Sequence, residues 1–427
     1  MREMKDSGIA WVGTMPDTWN TKRGKHTLKL LNRAVEDTDE VITCFRDGEV
    51  TLRKNRREDG FTVSLKEIGY QGIEPGDLVI HGMDGFAGAI GISDSRGKSS
   101  PVLVVCDSDE NKRFIMYYLR SMAYNDVFTA LATGIRVRSC DLRWNKLAEL
   151  PYILPSIKEQ EAIVHAIESD IKKINALISN VQAQIEKLKA YKRSVITEVV
   201  LNGFDSTVPM KDSGIDWLGK VPSTYNLVKL NTICKMITDG THVTPEYLDE
   251  GYPFLSIKDI SSGKIDFSNV KYISKDEHEA LYKSTPVEKG DMLFTRIGTL
   301  GVFIIVDTDE VFDIFVSVGL IKFNDEIDLV SKKYIKYYFS TTQFNNYIQL
   351  VKAGGETSAA KFNLGDVRNS MIAMPGKIEQ QEIVDYLDAK CSKIDELIAI
   401  KQAKIEKLEQ YKKSLIYEYV TGKKEVM

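Results

Sequence analysis

The sequence lacks most of what metal, redox and membrane chemistry require. Five cysteines in 427 residues (Cys44, Cys106, Cys140, Cys234 and Cys391) are an odd number, widely scattered, with no C-x-x-C pair. That excludes a disulfide framework or a cysteine zinc site as the organising feature. The five histidines (His26, His81, His165, His242, His278) show no H-x-x-x-H spacing, which argues against a zinc hydrolase. There is no Pro-Pro pair, and so no Asn/Asp-Pro-Pro-aromatic loop of the kind an amino-group methyltransferase needs. The phosphate loop G-x-x-x-x-G-K-[ST] is missed by one residue at Gly91 to Ser99. The extra residue separates the glycines, so backbone N–H groups would not converge on phosphate, and the stretch reads as a loop. Glu110-Asn111-Lys112 is a carboxylate–x–Lys fragment without the upstream acid of a metal-dependent nuclease. The chain reads as catalytically silent.

Long apolar runs are missing too. Nothing approaches the ~18–20 residues of a membrane span, and Met1 to Gly8 has no signal-peptide core. Cytoplasmic residence is the expectation. Charge of one sign is also scarce: the net value is −4, with 28% charged and 43% hydrophobic residues. This composition is ordinary for a globular protein. It lacks the basic excess of many nucleic-acid binders, so any basic groove must be local or shared with a basic partner.

What is present is a duplication. MKDSGIAWVGTMPDTWN from Met4 is answered by MKDSGIDWLGKVPSTYN from Met210, and IEKLKAYKRSVITEVV from Ile185 by IEKLEQYKKSLIYEYV from Ile405. An internal repeat decides the architecture before any local motif does. Ile167, Ile171, Ile174, Ile178, Val181, Ile185 and Leu188 alternate steps of four and three, and the register resumes at Val195 and Val199. The second copy runs Leu387, Cys391, Ile394, Ile398, Lys401, Ile405, Leu408, Lys412, Leu415, Tyr419. Both are heptad seams, about 65 Å long at ~1.5 Å per residue. Burying each large seam side chain contributes roughly 1.5–3 kcal/mol, and the nearest partner for each helix is its own duplicate. Lys192 and Lys412 share one seam position, either as polar register-setters or as a docking point.

Between the helices, Thr21 to Leu154 and Leu227 to Met374 have drifted, yet GDLVI at Gly76 matches GDMLF at Gly290 and FIMYYLRS at Phe114 matches YIKYYFST at Tyr334. Both segments mix short β-rich runs with one amphipathic helix and end at a proline (Pro155, Pro375) followed by Glu159-Gln160 or Glu379-Gln380. The expected domains are 1–154 with a repeated segment 1–20, a long helix in 155–202, 203–374 with its segment 207–226, and a long helix in 375–427. The repeat register also places the N-terminal segment near the end of the second long helix.

Candidate recognition residues lie in the drifted segments. In the first, RKNRR supplies Arg53, Lys54, Arg56 and Arg57, and GIRVR supplies Arg136 and Arg138. Arginine suits guanine edges and phosphates alike. HGMDGF adds His81 and Asp84, and GKSS adds Lys98 and Ser99. In the second, DGTHVTP offers Thr241 and His242, SIKD offers Lys258, FTRIGT offers Arg296 and Thr299, and KAGGETSAAK offers Thr357 and Lys361. For each, a solvated surface turn is the plainer alternative.

Over nearly its full length the chain resembles the specificity subunits of type I restriction-modification enzymes. The carriers are the duplicated MKDSGI-x-W-x-G-x-x-P motif, the P-x-x-x-E-Q helix openings and the twin IEKL-x-x-Y-K-x-S helices; DGTHVTP, GYPFLSIKDI, FTRIGTLG and AGGET add to them in the second half. HGMDGFAGAIG resembles a different recognition type, which implies that the halves read different sequences. The resemblance implies a mixed α/β fold: two target-recognition domains joined by two long antiparallel coiled-coil helices in a pseudo-twofold repeat. It implies double-stranded DNA as ligand, two methyltransferase subunits that use S-adenosylmethionine for adenine N6 methylation, and two endonuclease/translocase subunits. S-adenosylmethionine, ATP and Mg are expected on those partners, with no cofactor in this chain. Two rival readings remain: a coiled-coil scaffold presenting two protein-binding modules, and a stand-alone nuclease or modification enzyme.

Overall fold

A computed structural model describes residues 2–56, 67–130, 142–325, 331–353 and 359–426. The chain divides into two compact units, Met1–Gln182 with Gln402–Met427, and Ala183–Lys401. The division cuts both long helices, Ile157–Asn202 and Lys377–Val420, near their middles. Each unit is therefore an α/β body packed on half of a helix pair.

The heptad reading accounts for how those halves pair. In the first unit Tyr419 Oη donates to Asp170 at 3.1 Å and Lys412 Nζ to Asn175 at 3.4 Å. In the second, Lys401 Nζ reaches Gln184 at 2.6 Å and Lys192 Nζ reaches Asp395 at 2.6 Å. One partner number rises as the other falls, so the helices run antiparallel within both units. Ile163, Ile167 and Ile174 are buried with Leu415, Ile416 and Tyr419 in one core, and Val195, Val199 and Val200 with Ile383, Leu387 and Cys391 in the other. Lys192 and Lys412 both turn their ammonium groups toward the facing helix, as polar seam residues do.

The duplicated motifs build the same frame twice. Ser7 N–H donates to Gly13 O at 2.9 Å while Asp6 Oδ1 accepts Gly8 N–H; Ser213 N–H to Gly219 O at 3.0 Å and Gly214 N–H to Asp212 Oδ1 repeat both contacts. Gly13 and Gly219 take positive φ, 70° and 73°, where a side chain would strain the hairpin. Trp11 then packs on Tyr118 and Tyr417, and Trp217 on Tyr347 and Phe344. Tyr417 Oη donates to Trp11 O at 3.2 Å, and Glu425 accepts the Arg2 N–H at 3.0 Å. The N-terminal segment thus sits against the end of the second long helix.

The Glu-Gln pairs have a structural job as well. Gln160 is fully buried; its Oε1 accepts Asn111 N–H at 2.9 Å and its Nε2 donates to Pro155 O at 3.0 Å. Gln380 does the same with Ser331 N–H at 3.0 Å and Pro375 O at 2.9 Å. Asn111 and Ser331 are in turn the side-chain N-caps of helices Lys112–Tyr124 and Lys332–Phe339. One buried amide therefore ties the start of each long helix to the start of the helix that packs on the sheet. Glu110 and Lys112, the nuclease-like fragment, are engaged in ion pairs with Lys22 and Asp107.

Each unit carries a four-stranded antiparallel sheet of the same order: Lys29–Leu30, Leu103–Asp107, Leu78–His81 and Ile90–Ile92 in the first, and Cys234–Asp239, Val318–Phe323, Met292–Thr295 and Phe303–Ile305 in the second. Asp77 and Asp291, after Gly76 and Gly290 (both φ 87°), accept the backbone N–H three residues back at 2.8 Å. Their buried carboxylates are matched by different cations, Arg33 and Lys322.

Beyond this frame the units differ. The first adds two short ribbons, Ile42–Cys44 with Val50–Leu52 and Gln71–Ile73 with Gly97–Ser99. The second adds a three-stranded sheet of Lys271–Ile273, Tyr252–Leu255 and Asp313–Ile314, and helices Lys275–Ser284 and Thr342–Val351. The expectation of one amphipathic helix per segment is thus too few for the second unit. Thr341 ends one helix and caps the next, its Oγ1 accepting Phe344 N–H at 3.3 Å. The near phosphate loop at Gly91 to Ser99 is the end of one strand, a turn and another strand.

Candidate nucleic-acid interface

In the first unit, the end of strand Leu78–His81 and the ribbon Ile42–Cys44 wall an open groove of about 700 Å³. Arg46, Arg53, Arg56, His81 and Asp84 line it. Arg56 stacks over Phe45 at 4.3 Å and pairs with Asp47 at 2.7 Å. Arg53 Nε donates to Thr43 Oγ1 at 3.3 Å, and Arg46 pairs with Asp84 at 2.9 Å. Stacked and paired guanidinium groups are pre-oriented, and all three stand on one groove beside Asp47 and Asp84. Cys44 also lines it, but burial pushes its thiol up to about 12, so it is no nucleophile.

The second unit dresses the equivalent sheet edge differently. Arg296 follows strand Met292–Thr295 and is only 9% exposed. Its Nη1 bonds the Asp239 carboxylate and reaches Val316 O at 3.4 Å, and its Nε reaches Phe362 O at 3.5 Å. Arg296 N–H donates to Ser317 O, and Arg296 O accepts Phe362 N–H. Burial lowers its pKa from the ordinary arginine value, but a guanidinium remains charged and needs its carboxylate. The same Asp239 oxygen takes His242 Nε2 at 3.2 Å. Thr241 Oγ1 accepts Val243 N–H at 3.1 Å, closing the turn that exposes Val243. Lys361 pairs with Ala353 through both backbone groups, and Thr299 is exposed beyond Arg296. Ser317 Oγ accepts Ile257 N–H at 3.1 Å, bringing the short helix that carries Lys258 to the same edge.

Two expectations need correction. Ser99 is fully buried on strand Gly97–Ser99, so its hydroxyl is not presented to a ligand. Arg296 is a clasp: its donors are turned onto Asp239 and two carbonyls, so it positions loops and does not project from them. Lys98 pairs with Glu67 at 2.6 Å and Lys54 with Glu40 at 2.5 Å, and neither lysine is among the residues lining the groove. Arg57, Arg136, Arg138 and Thr357 lie outside the described residues. Sequence reasoning missed Asp239, Arg46, Phe45 and Asp47 as members of these sites. The only signal was proximity: Asp239 opens DGTHVTP, and FRDGE precedes RKNRR. No group of three or more His, Cys, Asp or Glu able to hold a metal occurs among the described residues, and no helix there is long and apolar enough to cross a membrane.

The model of the type I restriction modification DNA specificity domain matches residues 222–410. The chain is 24% identical to the EcoBI type I restriction enzyme specificity subunit of Escherichia coli, over 73% of this chain and 66% of that one. It is 23% identical to the MjaVIII specificity subunit of Methanocaldococcus jannaschii, over 74% of this chain and 72% of that one. A chain solved in a study of complex assembly and conformational transition of the type I R-M system shares the fold end to end, with TM-score 0.65, 14% identity, and coverage of 96% and 99%. Residues 222–410 carry the type I restriction-modification DNA specificity domain, and the chain as a whole is similar to the specificity subunits of those enzymes. The chain is the DNA specificity component of its enzyme, not a catalytic one. The domain match begins at Pro222, inside the second hairpin, and ends in the second long helix, so it spans the frame and the clasp together.

Proposed function

We propose that this specificity subunit reads a bipartite, asymmetric DNA site, the first half through the arginine groove and the second through the Asp239–Arg296 edge. One observation carries the reading: two sheets of identical strand order present unlike side chains from the same edge, as two readers of different sequences would. Double-stranded DNA has antiparallel strands, so two equivalent readers on one duplex are best related by a dyad across its axis. That symmetry makes helices along the axis antiparallel, the direction seen within each unit. The helix pair then acts as a ruler of about 65–70 Å, limiting half-site separation to about two turns of ~34–36 Å.

Partners follow from the same repeat. Leu177 and Leu397 stand at equivalent helix positions, as do Tyr191 and Tyr411, and all four are about half exposed. Equivalent exposed apolar positions suit two equivalent partners, which we assign as methyltransferase subunits using S-adenosylmethionine to methylate adenine N6. Endonuclease/translocase subunits using ATP and Mg complete the assembly in the cytoplasm. Methylated-adenine sequencing of cells carrying the full system tests this reading. Arg53→Ala with Arg56→Ala should degrade only the first half-site and flatten the salt dependence of DNA binding by about one unit for each phosphate no longer engaged. Inserting four residues at matched points of both long helices should change spacer length; an unaltered spacer refutes the ruler. DNA binding with no salt dependence would favour a protein-binding scaffold instead.

A further inference from the structure

His81 ends strand Leu78–His81 and lines the arginine groove. Its Nδ1 accepts two backbone N–H groups, from Met83 at 3.3 Å and Asp84 at 3.0 Å. A ring nitrogen that accepts carries a lone pair and no proton, so the single proton of the neutral ring is on Nε2. Among the described residues no acceptor meets that Nε2–H. Turning the ring over would leave both backbone donors without a partner, so the tautomer and the orientation are fixed together. Burial lowers the imidazole pKa from its ordinary value, Asp84 opposing and Arg46 assisting. At pH 7 the ring is thus a neutral single donor.

In the major groove guanine offers N7 and O6, adenine N7 and thymine O4 as acceptors, whereas cytosine offers only its N4 amino donor. We propose that His81 is a specificity-determining residue whose locked Nε2–H donates to a base acceptor in the first half-site and excludes cytosine at that position. The inference rests on the DNA-reading function above and names which base class one residue rejects. A donor facing a donor leaves both without a partner, and one such mismatch changes discrimination roughly tenfold or more.

The test uses the full chain assembled with its methyltransferase subunit, read by methylated-adenine sequencing. His81→Asn places an amide oxygen where Nδ1 accepts, keeping the 83–84 turn, and deletes the distal donor. His81→Gln restores an N–H near Nε2. The expected result is that His81→Asn admits cytosine at one first-half position roughly tenfold more often, with the second half-site and the salt slope unchanged. His81→Gln should retain more of the wild-type preference. Wild-type selectivity at every first-half position in His81→Asn, or loss spread equally over both halves, overturns the inference. If His81→Asn does not fold, nitrogen NMR of histidine-labelled wild type decides: an Nδ1-protonated His81 overturns it, and an Nε2-protonated ring supports it. A wild-type complex with no sequence preference defeats the DNA-reading function itself, an outcome distinct from a selective wild type matched by its variant.

Discussion

The first unit's groove and the second unit's clasp lie at equivalent strand ends of two separate sheets with the same strand order, yet they use arginine in opposite ways. In the groove, guanidinium groups are aimed into open space by a ring, a hydroxyl and partly exposed carboxylates. In the clasp, the guanidinium is buried and spent on holding three loops together. The histidines invert as well. His81 gives its Nδ1 to the main chain and keeps an Nε2 donor, whereas His242 directs Nε2 at a carboxylate, which can only accept. A duplicated frame can thus carry differently bonded loops, because the frame's own bonds do not involve these side chains.

The strongest way to break this contrast is Arg296→Ala. It leaves the Asp239 carboxylate without its cation in a nearly buried site and should cost about 3 kcal/mol, seen in calorimetric unfolding. Recognition of the second half-site should vanish while the first persists. Arg296→Lys should not rescue it, since one ammonium cannot reproduce bonds from both Nη1 and Nε. A variant that keeps second-half recognition would show that the clasp is not what positions those loops.

Next in size are Gln160→Ala and Gln380→Ala. Each strands a backbone N–H and a proline carbonyl beneath a long helix, for about 1–3 kcal/mol by denaturant unfolding. Both losses should fall in this range, because each amide ties an equivalent backbone N–H to an equivalent proline carbonyl, although Gln160 Nε2 also donates to Glu110 at 2.7 Å. A variant with no loss would mean that its amide does not hold the helix openings together.

A smaller difference is expected at the seam. Lys192 faces the Asp395 carboxylate, whereas Lys412 faces Asn175, the residue at the equivalent position of the first helix. Removing Lys192 should cost more than removing Lys412, both within ~1 kcal/mol, and Asn175→Asp should narrow the gap. A thermal-melt comparison of the three variants measures it.

The smallest effect is a pH dependence confined to the groove. Because His81 has a folded-state pKa below its ordinary 6.5, the unfolded chain binds more protons as pH falls through that value. Its contribution is complete above pH 6.5 and is lost on acidification. Wild type should therefore lose more melting temperature between pH 7.5 and 5.5 than His81→Asn, which lacks the titrating ring. An identical loss in both would place the titration elsewhere.

Much of this molecule was legible because its information is periodic or repeated. The heptads of Ile167 to Leu188 and Leu387 to Tyr419 fixed two long helices, since a stripe recurring every 3.5 residues can only be buried by a helix partner. The repeat made that partner its own copy, and GDLVI against GDMLF marked the central strands. What the linear pattern does not contain is which polar side chain faces inward. Ser99 and Arg296 looked like surface residues, yet one is buried in a short strand and the other is drawn into a clasp by Asp239, 57 residues away. The His81 tautomer, too, depends on a turn that places two N–H groups on one nitrogen. Such choices are set by distance-dependent hydrogen bonding between segments remote in sequence, so only the folded arrangement determines them.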